Sequence, residues 1–368
     1  MKPMKQSFYT LTVAIFLMLC TACTQADIVS PVDGEGTGGD PDKGVPLAVS
    51  NVRLSLEVES RSVVTGEPPK GRRNPNPLTK IAVCVVRAGG SAKQFYDSSN
   101  PVQVFTYAGG SNSWEQSEPA SPLYLFTEGG TGLAYTPANK TVEIDGSAVR
   151  MTGVSVKTAQ TFRFPDTTPG GVDPANDVPW DTDQEDYLTG PGGDVDRWSP
   201  GLSLRLQHVL SKVSFRVLEA NSGSLYAGSK VAKVELKSGS TGFKTSTDAW
   251  LDLSTGDLGG TILSGGTLSF TADATTRREV GTGTADAATV PVQAFGLVIP
   301  VGGVQATLEL TLDDGHTFTT ATPFTVGWSR GKNHIYTVTL SAKGIVISNP
   351  VVAPWVEGTV PGPNVPVQ

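Results

Sequence analysis

The chain has 368 residues, with 28 Lys and Arg against 35 Asp and Glu, 42 Gly, 26 Pro and three Cys. A net charge of -7 excludes partners recognised through their own negative charge, nucleic acid above all. Three cysteines exclude a disulfide framework, and the length accommodates two domains of about 150 residues, each with its own core.

At the N-terminus, Lys2 and Lys5 precede an apolar stretch at 11–19, and the small residues Thr21 and Ala22 stand before Cys23. This is the layout of a cleavable secretory signal over residues 1–22. The apolar stretch is shorter than the roughly 20 residues that cross a bilayer, so a permanent transmembrane helix is the weaker reading. A cysteine at the cleavage point resembles a bacterial lipobox, with Cys20 where that pattern usually has Leu. The resemblance implies diacylglycerol on Cys23 and an outer membrane anchor of several acyl chains, which holds stably where one chain does not. The alternative is a plain signal peptide cut near Ala22. Loss of Lys2 and Lys5 leaves 26 basic against 35 acidic residues, a net charge near -9. Cys84 then stands alone among Val83, Val85 and Val86, as a buried structural thiol.

Residues 23–47, rich in Gly and Pro, read as a flexible tether. The first strand follows: Val52, Leu54, Leu56 and Val58 alternate with Arg53, Ser55, Glu57 and Glu59, one face apolar and one wet. A loop with six glycines and prolines from Gly66 to Pro77 comes next, carrying Lys70, Arg72 and Arg73. Residues 81–86 are apolar on both faces, which suits a central strand. Further strands are predicted at 102–107, 123–126, 141–144 and 154–158. Residues 165–201 are dense in Pro and Gly and predict a loop ending in a domain boundary, which divides the chain into 48–200 and 201–368 with a tail at 356–368.

Leu202, Leu204 and Leu206 alternate strictly, and the parity then changes to Val213, Phe215 and Val217. Within one strand this requires a β-bulge near 210–212, with a short helix as the competing reading. Later strands are expected at 231–236, 267–270, 290–301 and 307–312. Asp314 and Gly315 turn the last of these into 317–320, and 334–340 pairs with 344–348 as a closing hairpin. The pattern is that of an all-β sandwich protein.

Several scattered positions carry a family resemblance. Asp186, Tyr187, Leu188 and Gly190, followed by Leu206, His208, Ser211, Lys212, Val213 and Phe215, are similar to a signature of the fimbrillins, the subunits of type V pili. Trp328, Gly331, Tyr336, Ile345, Ile347, Pro354 and Trp355 resemble that family's closing hairpin, and Ser60, Arg61, Ser62, Val63, Gly66 and Glu67 its segment after the first strand. The resemblance implies two tandem transthyretin-like β-sandwich domains and a structural, non-enzymatic pilus subunit exported as a lipoprotein to the cell surface. It implies a protease cut at Arg61, release of Val52, Leu54, Leu56 and Val58, and refilling of the groove by another subunit, in a homo- or heteropolymer. Arg72 and Arg73 are alternative cut sites. The donor candidates are Val356, Val360, Val365 and Val367, although Pro361, Pro363 and Pro366 lack the N–H that an inner strand needs. Shaft, tip and anchor positions all remain open.

No catalytic, cofactor or metal constellation is signalled. His208, His316 and His334 have no Cys or carboxylate at ligand spacing, and His208 reads as a hydrogen-bonded core residue. Asp181, Asp183 and Glu185 alternate like a calcium loop, yet Asp186 occupies the glycine place, so 177–186 reads as a solvated acidic loop. The second hypothesis is a monomeric anchored adhesin that binds a host or bacterial surface glycan or protein through Trp114, Trp180, Trp198 or Trp250. The simpler reading of these indoles is that each covers a sandwich end.

Overall fold

The computed structural model describes residues 43–54, 78–87, 92–108, 113–164, 181–220, 225–226, 228–239, 242–282 and 290–354. Among these the regular structure is strand throughout, with no helix, as the punctuated apolar runs predict. The signal segment, Cys23, Leu56, Val58, Arg61, Trp180 and the tail positions Val356, Val360, Val365 and Val367 lie outside the described residues.

A seven-stranded sheet dominates the N-terminal half. Its strands run in the order Ala48–Leu54, Gly201–His208, Leu188–Val195, Gly130–Thr136, Lys80–Arg87, Val102–Ala108 and Ser113–Glu118. The two terminal strands approach each other to within 8 Å between Cα atoms, so the sheet curls almost into a barrel. Val52, Val83, Phe105, Trp114, Leu204 and Leu206 fill its interior. Strand Lys80–Arg87 sits in the middle, as its unbroken apolar run predicts. Ile81, Val83 and Val85 face the barrel core, and Ala82, Cys84 and Val86 face a second, larger core. Cys84 is fully buried, and burial pushes its thiol up to about 12.

The second core lies among the other large sheets. Strand Ser211–Glu219 is held between Ala294–Val298 and Lys332–Ser341. The ring of Phe215 stacks on Tyr336 at 5.6 Å, and that of Phe243 on Trp328 at 5.4 Å. Trp328 Nε1 donates to Tyr336 Oη at 3.0 Å, which satisfies both polar atoms inside the core. The turn at Asp314 and Gly315 and the hairpin of Lys332–Ser341 with Gly344–Ile347 form where predicted, with Gly315 at φ +90°.

Five expectations are corrected. The fold begins before residue 48: Val45–Pro46 pairs with Tyr124–Leu125, and the Leu47 N–H donates to Leu123 O at 2.8 Å. Burial of the Leu47 side chain outweighs the loop tendency of Gly44 and Pro46. Residue 200 is not a sheet boundary, because Gly201–His208 joins the N-terminal sheet while Ala148–Val156 and Ala159–Arg163 pair with strands beyond 242. The parity change after Leu206 is not a bulge within one strand. The chain leaves one sheet at His208 and enters another at Ser211, so a different side of the backbone meets the core. Residues 290–301 hold Ala294–Val298 and the start of Val301–Leu312, parted at Ile299 and Pro300. Finally, Leu188–Val195 is a strand and not loop. Its glycines allow close packing: a Cβ on Gly190 would lie 2.0 Å from Arg205 O. Pro191 is tolerated there because the register shifts between Pro191 and Gly193.

Candidate functional site

Only a strand held along one side can leave its sheet without breaking the rest. Ala48–Leu54 is such a strand. It runs parallel to Gly201–His208, from Ala48 opposite Gly201 to Leu54 opposite Leu206, and its other edge has no ladder partner among the described residues. The register slips at Ser50, since Val49 faces Leu202 and Asn51 faces Ser203. Ser50 Oγ donates to Leu202 O at 2.9 Å, and the Ala48 N–H to Pro200 O at 3.0 Å. Because of the slip, Val49 and Val52 both turn inward although they are three residues apart. Alternation in the sequence finds Val52 and the strand position of Leu54. It misses Leu47 and Val49, since a bulge leaves no mark in a period-2 pattern.

The receiving strand is built for this partner. Along Gly201–His208 every second residue is buried, and Leu202, Leu204 and Leu206 point into the barrel. Across the gap stands Trp114, 8% exposed and edge-on to Tyr107 at 5.5 Å. Without the first strand, a row of backbone donors and acceptors would lie beside an apolar floor, which is the template for β-augmentation. Each apolar side chain that seats there gains roughly 1.5–3 kcal/mol.

At the other end of the chain, Lys332–Ser341 has both edges occupied. Ser211–Glu219 pairs along one, and Gly344–Ile347 and Val351–Pro354 share the other. The donor candidates follow Val351–Pro354, where Val351 and Val352 are exposed.

The described part of the acidic run does not converge on one point. Asp183 Oδ2 meets Lys157 Nζ at 3.0 Å, and Glu185 Oε2 meets Lys140 Nζ at 2.6 Å and the Tyr187 hydroxyl at 2.7 Å. Partial burial pushes Glu185 up, but the bonds from Lys140 and Tyr187 outweigh it and hold its carboxyl below the usual range. Asp186 corrects the solvated-loop reading. It is buried, and its Oδ1 lies 3.1 Å from His208 Nδ1, a hydrogen bond that makes His208 the hydrogen-bonded core histidine expected. Nearby, Lys212 is wholly buried with Nζ 4.6 Å from the centre of the Phe295 ring. Burial pushes that ammonium well below its usual range, against the opposing pull of Asp186. These residues tie the receiving strand to the second core. The sequence signal for them was the Asp186-to-Phe215 constellation, which marks a buried polar network.

Among the described residues no group of three or more His, Cys, Asp or Glu is placed to hold a metal ion. His334 Nε2 accepts the Ser329 N–H at 2.9 Å, and His316 sits on the surface turn with Asp314. Of the candidate tryptophans, Trp114 is core, Trp250 lies under the Arg150 guanidinium at 4.0 Å, and Trp198 is 77% exposed.

Residues 76–355 match a family model described as Fimbrillin-like. A search of curated proteins returned no match. Among solved structures, a candidate cell adhesion protein of Bacteroides uniformis is 16% identical, with a TM-score of 0.50 over 86% of this chain and 100% of that one. A fimbrial protein of Bacteroides vulgatus is 12% identical, with a TM-score of 0.41 over 75% and 93% of the two chains. The C-terminally truncated tip fimbrial protein Mfa3 of Porphyromonas gingivalis is 10% identical, with a TM-score of 0.35 over 75% and 94%. At these identities the first likeness supports the fold alone, and the other two add nothing to it.

Proposed function

Because the chain belongs to the fimbrillin-like family, which is structural and not catalytic, we propose that it is a pilus subunit assembled by strand exchange at the cell surface. In this reading Cys23 carries the lipid that holds the precursor at the outer membrane. A trypsin-like protease cuts after Arg61, the strand containing Val52 and Leu54 departs, and a strand of another subunit takes its place. The two cores are then two transthyretin-like sandwiches, the first with a replaceable strand.

The observation that carries this reading is the one-sided pairing of Ala48–Leu54 beside an apolar floor. The same geometry bears on the prolines of the donor tail. A strand seated here needs N–H groups toward Gly201–His208 only. Pro361 and Pro363, two residues apart, turn their nitrogens to the same side and fit if that side is the open one. Pro366 has the opposite parity, so the paired segment ends before it. Val356 and Val360 are therefore the stronger donor contacts, ahead of Val365 and Val367.

The test is to treat the purified mature chain with a trypsin-like protease and look for heat-labile, detergent-resistant oligomers whose N-terminus is Ser62. Arg61→Ala should abolish the ladder. A stable monomer that stays uncut at Arg61 and binds glycans would replace the pilin reading with the anchored adhesin.

A further inference from the structure

Three large apolar side chains stand exposed beside the first described residues. Trp198 is 77% exposed, Tyr124 48% and Phe126 42%. A Cβ on Gly44 would lie 2.8 Å from Tyr124 Cβ and 3.1 Å from Phe126 Cζ, so the chain enters the fold against these two rings. The Arg197 N–H donates to Phe126 O at 3.0 Å, which brings the loop of Trp198 to the same end of the barrel. The Arg197 guanidinium lies over the Trp198 ring at 4.8 Å. The loop is firmly built, since Asp196 Oδ1 accepts the N–H groups of Trp198 and Ser199 at 2.8 and 2.7 Å. Phe126 is fixed likewise, its N–H donating to Tyr96 Oη at 2.8 Å.

We infer that Tyr124, Phe126 and Trp198 form a contact surface for the headgroup region of a phospholipid bilayer, resting the precursor on the membrane that holds its lipid. The inference builds on acylation of Cys23 under the proposed function. Only 20 residues lie between Cys23 and Gly44, a span of no more than about 75 Å, so the patch beside Gly44 stays near the surface. A link of that length holds a domain at roughly millimolar effective concentration, where a contact too weak to act alone is populated. Rings with an apolar body and a polar tip, Trp and Tyr above all, are the side chains that settle at the membrane interface. Glu128 is paired with Arg87 at 3.4 Å, and Asp194 and Asp196, close in sequence, outweigh the Arg197 guanidinium over Trp198. The patch therefore carries no net positive charge to draw it to an anionic bilayer, and the contact is directed to neutral lipid. A membrane-held precursor would present the groove to its protease in one orientation.

The experiment uses the chain from residue 23 onward, linked through the Cys23 thiol to a maleimide lipid in phosphatidylcholine vesicles. Cys84 is buried and does not compete. The link is chemical, so the result does not depend on whether cells acylate Cys23. Vesicles with brominated phosphatidylcholine should quench the intrinsic fluorescence by up to one tryptophan's share of the six. Trp198→Ala, at an exposed position, should remove the quenching while leaving the unfolding midpoint in place. Absence of quenching in the parent, or equal quenching in Trp198→Ala, would overturn the inference. So would shielding of Trp198 by a soluble glycan without quenching by lipid, which would assign the patch to adhesion.

Discussion

The two cores are closed by strands of opposite standing. Ala48–Leu54 has a ladder on one side and arrives by parallel pairing, so no tight turn binds it to its neighbour. Ser211–Glu219 has ladders on both sides and buries nearly every residue. Comparable apolar side chains therefore serve different ends. On the first strand they line a seat with one open edge, which the proposed exchange would vacate, whereas on the second they belong to a frame held from both sides.

The largest expected effect is in the frame. Phe215→Ala removes a fully buried ring stacked on Tyr336, and should cost about 3–5 kcal/mol in denaturant unfolding of the whole fold. Next comes the joint between the regions. Asp186→Ala leaves His208 without its carboxylate at the end of the receiving strand, and should cost about 3 kcal/mol by the same measurement. On the first strand, Val52→Ala removes two methyl groups, worth about 1.5 kcal/mol. Its amides over 48–54 should exchange faster while those of 211–219 hold. If both segments exchange together at the global rate, the contrast between vacatable seat and frame is broken.

Cys84 faces the second core, and its thiol is raised from 9.0 to about 12 by burial. The folded state therefore keeps a proton that the unfolded state gives up. The associated stability is whole below pH 9 and is lost as pH rises toward 12, by about 1.4 kcal/mol by pH 10. Buried Tyr135, Tyr187 and Tyr336 are raised in the same direction but from 10, whereas buried Lys212, held well below 10.5, makes stability rise with pH over the same window, so the thiol's part is read by difference. Unfolding of Cys84→Ala, compared with the parent, should lack that part of the slope. The smallest effect is at Trp198, where substitution by Ala should change stability by no more than about 0.5 kcal/mol.

Much of the fold was legible because burial writes itself into alternation. The run at 81–86, the alternating leucines of 202–206 and the Asp314 turn each appear where local pattern places them. Strand Leu188–Val195 was illegible, since three glycines and a proline read locally as loop, and only close packing against Gly201–His208 makes them strand. The candidate site was half legible. Val52 announces itself, while Val49 is inward only through the slip at Ser50. Asp186 looked like one acid among several, and its burial becomes clear only when His208 and Lys212 arrive from a distant part of the chain.

Taken alone, the order of residues determined the strand class and which faces turn inward, because the two-residue period of a pleated backbone is a local property. It also determined the constellation that places the chain among fimbrillin-like proteins. Only the tertiary structure decided that the first strand stands at an edge, parallel to a segment 150 residues away, and that the chain crosses between sheets at His208. Pairing partners are chosen by long-range closure and by the packing of two cores, and neither leaves a period in the sequence.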